Sequence, residues 1–288
     1  MTAQVAPTYR EHELFSTQGV LAGIWTMSGD SQLHGHDFLE LAVIGGGRGR
    51  HVSSHGTVDL RVGDVFVLRP GAWHGFVDCD DLLVANCCLS ARSLRGELAF
   101  LYDDPALREL LWLGPIAYKG QGVSAVRVEE DAARRVVAEV AAWQDRAPVN
   151  RTLLLGRLLT VLGHLVGSSP TPEPAHPAVA ATIACLEQAP ERAWTMPDLA
   201  ARSALDPAYL TRLFRRHVGL SPMAYLARIR AEHAAVLLAR TDEAISRVGA
   251  LVGWPDPTWF ARRFRTLVGL TPTEYRRRAR SSSVARDR

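Results

Sequence analysis

Lysine is nearly missing: of the 33 basic residues all but one, Lys119, are arginine. That bias suits bidentate contacts to phosphate and guanine, but a GC-rich genome produces it equally well, so it carries no functional weight alone. Cysteine is scarce as well. Cys79, Cys87, Cys88 and Cys185 show neither a CxxC pair nor an even framework, which excludes a structural zinc motif and a disulfide scaffold and suits reduced cytosolic thiols. Long apolar runs are absent too. The longest, LLLGRLLTVLGHLVG from Leu153, is broken by Arg157 and His164 and is too short for a membrane span, so it reads as a buried or dimer-forming helix. The opening MTAQVAPTYREHELF lacks the charged-then-apolar layout of a signal peptide, and the expected location is cytoplasmic.

What remains is an ordinary globular composition, 47% hydrophobic and 22% charged, in a chain of 288 residues, longer than one core usually fills. Two domains are expected. The formal charge of +3 conceals an asymmetry: from Thr171 onward 18 arginines face 11 acids, net +7, while the preceding part carries 15 basic and 19 acidic residues, net −4. A basic module is joined to an acidic one.

From Gly19 to about Leu89, short β-rich runs (LELAVI, HVSS, TVDL, DVFVL, LLVANCC) alternate with Gly, Pro and Asp turn signals, the pattern of a sandwich or barrel. Near Glu129 the period changes. Ala133, Val136, Val137, Val140 and Trp143 recur at helical spacing, and Leu153, Leu154, Leu158, Val161, Leu162 and Leu165 mark a second helix after Asn150. The segment GSSPTPEPAHP, from Gly167 to Pro177, is too rich in Pro and small polar residues to pack and reads as a linker. The expected division is therefore 1–167 for effector binding and dimerisation, 168–177 for the linker, 178–280 for a helical domain, and 281–288 for a frayed tail.

An internal repeat decides the function. At an offset of 50, DPAYLTRLFRRHVGLSPMAY from Asp206 aligns with DPTWFARRFRTLVGLTPTEY from Asp256, and half the positions are identical. One residue out of phase, Met196, Leu199, Ala201 and Leu205 pair with Ile245, Val248, Ala250 and Trp254. Each copy reads as a short helix, a turn and a longer helix, the layout of a helix-turn-helix. A helical wheel puts Ala208, Thr211, Arg212, Arg215 and Arg216 on one arc and Tyr209, Leu210, Leu213, Phe214 and Val218 on the other. In the second copy Thr258, Ala261, Arg262, Arg265 and Thr266 face out, with Trp259, Phe260, Phe264, Leu267 and Val268 facing in. Small residues, hydroxyls and arginines on one face are what a major-groove helix needs; a merely solvated face is the alternative for one copy and is disfavoured by duplication. Between the copies, Ser221 can cap and Pro222 can open a helix reaching Arg240, Thr241 can cap the next helix, and Thr271 with Glu274 has capping-box spacing.

The stretch from about Ala178 to Arg280 resembles the DNA-binding domain of AraC-family regulators. The residues that carry the resemblance are Gly253 and Trp254, Arg262 and Phe264, and the Thr-Pro-x-x-Tyr run from Thr271 to Tyr275. The resemblance implies recognition helices starting at Asp206 and Asp256, with Ala208, Thr211, Arg212, Thr258, Ala261 and Arg262 toward bases and Arg215 and Arg265 beside them.

In the N-terminal half, HGHDFLELAVIGGG puts His34, His36 and Glu40 at strand spacings that share a face, and GDVFVLRPGAWH adds His74. Three imidazoles and a carboxylate suit a divalent metal, and the spacing resembles cupin motifs, with three residues rather than four between Pro70 and His74. Two readings stay open: a metal site, or a metal-free effector pocket in which the same four residues and the aromatic plane of Trp73 bind a ligand. The segments HGHDFLELAVIGGGRGRHV and GDVFVLRPGAWHGF resemble the rhamnose-pathway regulators, which implies a sugar-like effector.

The expected protein is thus an α+β regulator with two domains: a cupin-like β-barrel carrying a helical hairpin, and an all-α domain with two helix-turn-helix units. It is expected to bind double-stranded DNA and a small effector, to contact RNA polymerase as an activator, and to dimerise through the hairpin without a membrane partner. No cofactor is required, although the barrel offers a divalent-metal site. The rival readings are a metal-dependent cupin enzyme fused to a DNA-binding tail and a constitutive DNA-binder with an inert barrel.

Overall fold

The computed structural model describes residues 8–9, 14–15, 19–53, 56–90, 93–94, 97–117, 122–145, 150–167 and 176–281. Of the expected linker only His176 and Pro177 fall within these residues, and the expected tail lies outside them beyond Ser281.

Among the described residues, the N-terminal half is built on one sheet of eight strands: β1 (Thr8–Tyr9), β2 (Val20–Gly29), β3 (His34–His36), β4 (Leu39–Ser53), β5 (Gly56–Asp59), β6 (Asp64–Leu68), β7 (Trp73–Leu89) and β8 (Val123–Arg127). The order is β1-β3-β7-β4-β6-β8, with β2 also on β7 and β5 on β4; every pairing is antiparallel except β1 with β3. Strands β4 and β7 are long enough, at 15 and 17 residues, to serve two parts of the sheet. Between Ile44 and Arg50 their register slips repeatedly. Such bulges bend a strand, and Gly45-Gly46-Gly47 supplies the freedom. Gly47 has φ +74°, and a Cβ there would lie 2.1 Å from the Asp81 carbonyl oxygen.

Along β4, Leu39, Leu41 and Val43 point to one apolar cluster, while Ala42 and Ile44 point to another. The sheet therefore has two faces to bury. The inner cluster contains Phe66, Phe76, Leu82 and Val84. Helices α1 (Glu130–Asp145) and α2 (Arg151–Val166) cover the other face with Val136, Val140, Trp143, Leu154, Leu158, Val161, Leu162 and Leu165. Most of the apolar surface expected at a dimer contact is thus buried within the chain: α1 packs on the sheet and α2 packs on α1. Leu153 and Leu159 remain exposed. A run of short helical turns, 99–117, precedes β8.

The C-terminal half is helical: α3 (Pro177–Gln188), α4 (Met196–Arg202), α5 (Pro207–Val218), α6 (Pro222–Arg240), α7 (Ile245–Leu251), α8 (Pro257–Val268) and α9 (Pro272–Ser281). Two cores share α6. Tyr225, Leu226 and Ile229 join the core of α3 to α5, while Ala231, Ala234, Ala235 and Leu238 join that of α7 to α9. Alanine spacing lets the second group of helices approach closely. Phe214, Tyr225, Phe260 and Phe264 are fully buried, each contributing about 1.5–3 kcal/mol by removal from water.

Local chemistry sets the helix ends. Ser221 Oγ accepts from the Ala224 N–H, and Thr271 with Glu274 forms the expected reciprocal cap. Thr241 does not cap α7. It terminates α6, donating its hydroxyl to the Leu237 carbonyl, and α7 starts three residues after it from Ala244 without a side-chain cap. Thr195 and Asp198 form a capping box at α4. No described helix is long and apolar enough to cross a membrane.

Candidate functional site

Helices α5 and α8 begin alike. The Asp206 carboxylate accepts from the Ala208 and Tyr209 N–H groups at 2.9 Å, and that of Asp256 accepts from the Trp259 N–H at 2.6 Å. Pro207 and Pro257 occupy first-turn positions where no N–H is needed. Each helix ends at a left-handed glycine, Gly219 or Gly269. With both ends fixed, the buried stripe is narrow: Leu210, Phe214 and Val218 in α5, Phe260 and Phe264 in α8.

The opposite face is open. Ala208, Arg212, Arg215 and Arg216 are exposed and Thr211 half-buried; Thr258, Arg262, Arg265 and Thr266 are exposed and Ala261 half-buried. Tyr209 and Trp259, expected on the inner arc, are each 44% exposed. They lie 100° around the helix from Leu210 and Phe260, beyond the stripe that meets the core. Arg212 stands 5.9 Å from the Tyr209 ring centroid and Arg262 4.7 Å from that of Trp259. Such contacts at exposed sites, worth about 0.5–1 kcal/mol, hold a guanidinium outward over its own helix.

Inside the sheet, His34, Glu40 and His74 converge, each offering a ligand atom within 4.8 Å of the others. His36 joins them, its Nε2 3.3 Å from Glu40 Oε2, and His74 Nε2 is 3.6 Å from the same oxygen. His36, Glu40 and His74 are buried. Burial depresses His34 to about 4 and also lowers His36. For Glu40 burial acts upward, but the surrounding imidazoles of His74, His36 and His34 outweigh it and hold the carboxyl down to about 2.

His51 was not singled out from the sequence. It shares a hydrogen bond with His74 at 3.3 Å and stacks on Phe66 at 4.0 Å. Simple alternation from Glu40 would turn it outward; the bulges at Gly45 to Gly47 reverse the parity, and three consecutive glycines were the available signal.

Trp73 parts company with the other four. Neighbours in a strand face opposite ways, so with His74 pointing in, Trp73 points out. It lines a cleft of about 330 Å³ shared with Ala72, Arg228, Glu232, Thr266 and Val268, between the sheet and helices α6 and α8. The same side of the sheet is tied to α6. Arg69 donates from Nε and Nη2 to the Glu232 carboxylate at 2.8 and 2.6 Å, and Arg240 Nε donates to Asp37 at 2.8 Å. Burial alone would lower Arg69, but Glu232 and Glu187 reverse this and keep it charged. Leu113 and Ile116 enter the apolar cluster of α3 to α6, and Gly71, at φ +90°, packs against Ala235. These links span 163 and 203 residues of sequence, and nothing local announces them.

Comparison with known proteins places this geometry. Residues 199–278 match the helix-turn-helix domain family and residues 20–110 the AraC-like ligand binding domain family, together more than half of the chain. The HTH-type transcriptional activator RhaS of Escherichia fergusonii is 28% identical over 77% of this chain and 79% of its own length. The activator RhaR of Yersinia pestis is 26% identical over 77% of each. Among solved structures, ToxT from Vibrio cholerae aligns with TM-score 0.54 over 90% of this chain and 98% of its own, at 11% identity, a likeness of fold. The chain belongs to the AraC family of DNA-binding transcription regulators, with an AraC-like ligand-binding domain ahead of its helix-turn-helix domain.

Proposed function

We propose that this regulator activates carbohydrate-utilisation genes in response to a sugar or sugar-derived effector. Residues 1–167 sense and dimerise, and residues 178–280 bind DNA. The observation that carries the DNA-binding assignment is the pair of equivalent outer faces, with Ala208, Arg212 and Arg215 exposed and Thr211 half-buried on α5, and Thr258, Arg262 and Arg265 exposed and Ala261 half-buried on α8. The 19-residue α6 between the two units is about 28 Å long, close to the roughly 34 Å between successive major grooves on one side of B-DNA. A hydroxyl-radical footprint of the full-length protein on DNA upstream of its own gene tests this. Two protected patches about ten base pairs apart on one face are expected. One patch contradicts a bipartite grip.

The relatives named as activators support activation, which requires contact with RNA polymerase. The sugar reading draws on the resemblance of the His34 and Gly63 segments to rhamnose-pathway regulators. Of the five residues first assigned to the effector, Trp73 has the setting for it. Its cleft is within the roughly 300–1,000 Å³ of small-ligand pockets and combines an aromatic surface with Arg228, Glu232 and Thr266. An occupant there touches both halves, so it can favour one packing of the sensor on α6 and α8 over another. Leu153, Leu159 and the open small-residue positions Gly156 and Gly163 on α2 support a homodimer contact. Sugars that raise DNA affinity in wild type and not in Trp73→Ala support the effector reading; equal response in both contradicts it.

A further inference from the structure

His34, His36, Glu40 and His74 sit in an arrangement that the effector reading leaves unused, and the lone pairs of its members face one another. His36 Nδ1 lies 2.8 Å from the Phe38 carbonyl oxygen and His34 Nδ1 3.0 Å from that of Gln32. A carbonyl only accepts, so each Nδ1 carries the ring proton and each Nε2 presents a lone pair. The Nε2 lone pair of His36 therefore points at a carboxylate oxygen of Glu40 3.3 Å away. His36 Nε2, His74 Nε2 and Glu40 Oε1 are all buried without a hydrogen-bond partner. A ring-nitrogen lone pair turned onto a carboxylate oxygen in a buried site is costly unless a cation occupies the space between them.

We propose that this cluster binds one first-row divalent metal ion, with His34, His36, Glu40 and His74 as its ligands and His51 positioning His74 from behind. The dimensions fit an ion. Metal–nitrogen and metal–oxygen bonds of about 2.1 Å place neighbouring ligands of a tetrahedral ion about 3.4 Å apart, against the 3.3 and 3.6 Å from Glu40 to His36 and His74. The ligand atoms of His34, Glu40 and His74 lie within 4.8 Å of one another, while His36 reaches Glu40 but stands outside that mutual set, so the widest pairs close by about 1 Å or more to reach tetrahedral spacing; the space is too small for a sugar ring. Three nitrogens and one oxygen select iron(II), manganese, nickel, cobalt or zinc over calcium or magnesium. His51 Nε2 lies 3.3 Å from His74 Nδ1, and when that Nδ1 donates the proton His74 presents Nε2 to the ion.

The probe is cobalt(II), added to tag-free full-length protein first dialysed against EDTA. A visible d–d absorption that saturates at one equivalent and is abolished by zinc is expected. In Glu40→Gln, nearly isosteric and safe for folding, the band is lost. In His51→Ala, cobalt affinity falls about 10- to 100-fold, the usual cost of losing a group that orients a metal-bound histidine. Saturating metal should also raise the melting temperature of wild type by about 5 °C, and not that of Glu40→Gln. Absence of a saturating band in wild type, or an unaltered band in Glu40→Gln, overturns the proposal. Neither result bears on DNA binding, which is read separately through Arg212 and Arg262.

Discussion

Gly253 shows how one residue can carry a family signature for physical reasons. Its φ is +86°, and a Cβ would lie 2.6 Å from the Glu191 carbonyl oxygen and 2.7 Å from Arg230 Nη2. Arg230 in turn donates to the Pro190 and Arg192 carbonyls at 2.7 Å, pinning α6 to the turn before α4. Gly253→Ala is expected to cost about 1–2 kcal/mol from the left-handed backbone and more from displacing Arg230, read as a lowered urea midpoint; an unchanged midpoint contradicts the packing described. Phe264→Ala, which empties a fully buried site, should cost about 3–5 kcal/mol. At this scale the sequence was legible where chemistry is local. Asp206, Asp256, Thr271 and Glu274 stand where their spacing put them. An aromatic side chain invites burial, yet Trp259 stays on the outside because Phe260 and Phe264 are the residues of α8 that the core buries.

At the scale of elements, periodicity located both helix-turn-helix units and most strands, because each has one face that must be buried. It does not show how little apolar surface stays open on α1 and α2, because α1 is spent on the sheet and α2 on α1. What remains exposed on α2 is small: Leu153 and Leu159 beside Gly156 and Gly163. If copies of the chain meet there, Leu159→Arg should shift the protein from dimer to monomer in light scattering without lowering its melting temperature. A dimer that survives moves the contact elsewhere. The parity reversal in β4 likewise hid His51, since alternation holds only as long as a strand has no bulge.

The whole molecule is joined by contacts that no local pattern predicts. Asp37 follows His36 directly, and Arg69 is five residues before His74, so the turns that lead into the strands of the buried cluster carry both ion pairs to α6. Glu232→Ala leaves the Arg69 guanidinium buried without its partner, a change that costs about 3–5 kcal/mol in comparable settings. That cost should fall on the packing of the sensor against α6. Hydrogen exchange around 69–73 and along α6 should therefore rise, while the sheet interior stays protected. A double-mutant cycle of Arg69 and Glu232 should show coupling well above 0.5 kcal/mol; additive effects would contradict the link.

The central claim is that α5 and α8 both read DNA. It is tested most directly by measuring affinity for the protein's own upstream region, at one stated salt concentration, with wild type, Arg212→Ala and Arg262→Ala, and with random DNA as reference. Each substitution should cost about 1–3 kcal/mol on the specific site and less on random DNA, with both proteins folded as wild type. If either arginine can be removed with equal, small losses on both DNAs, that helix grips phosphate without reading sequence, and the bipartite account fails.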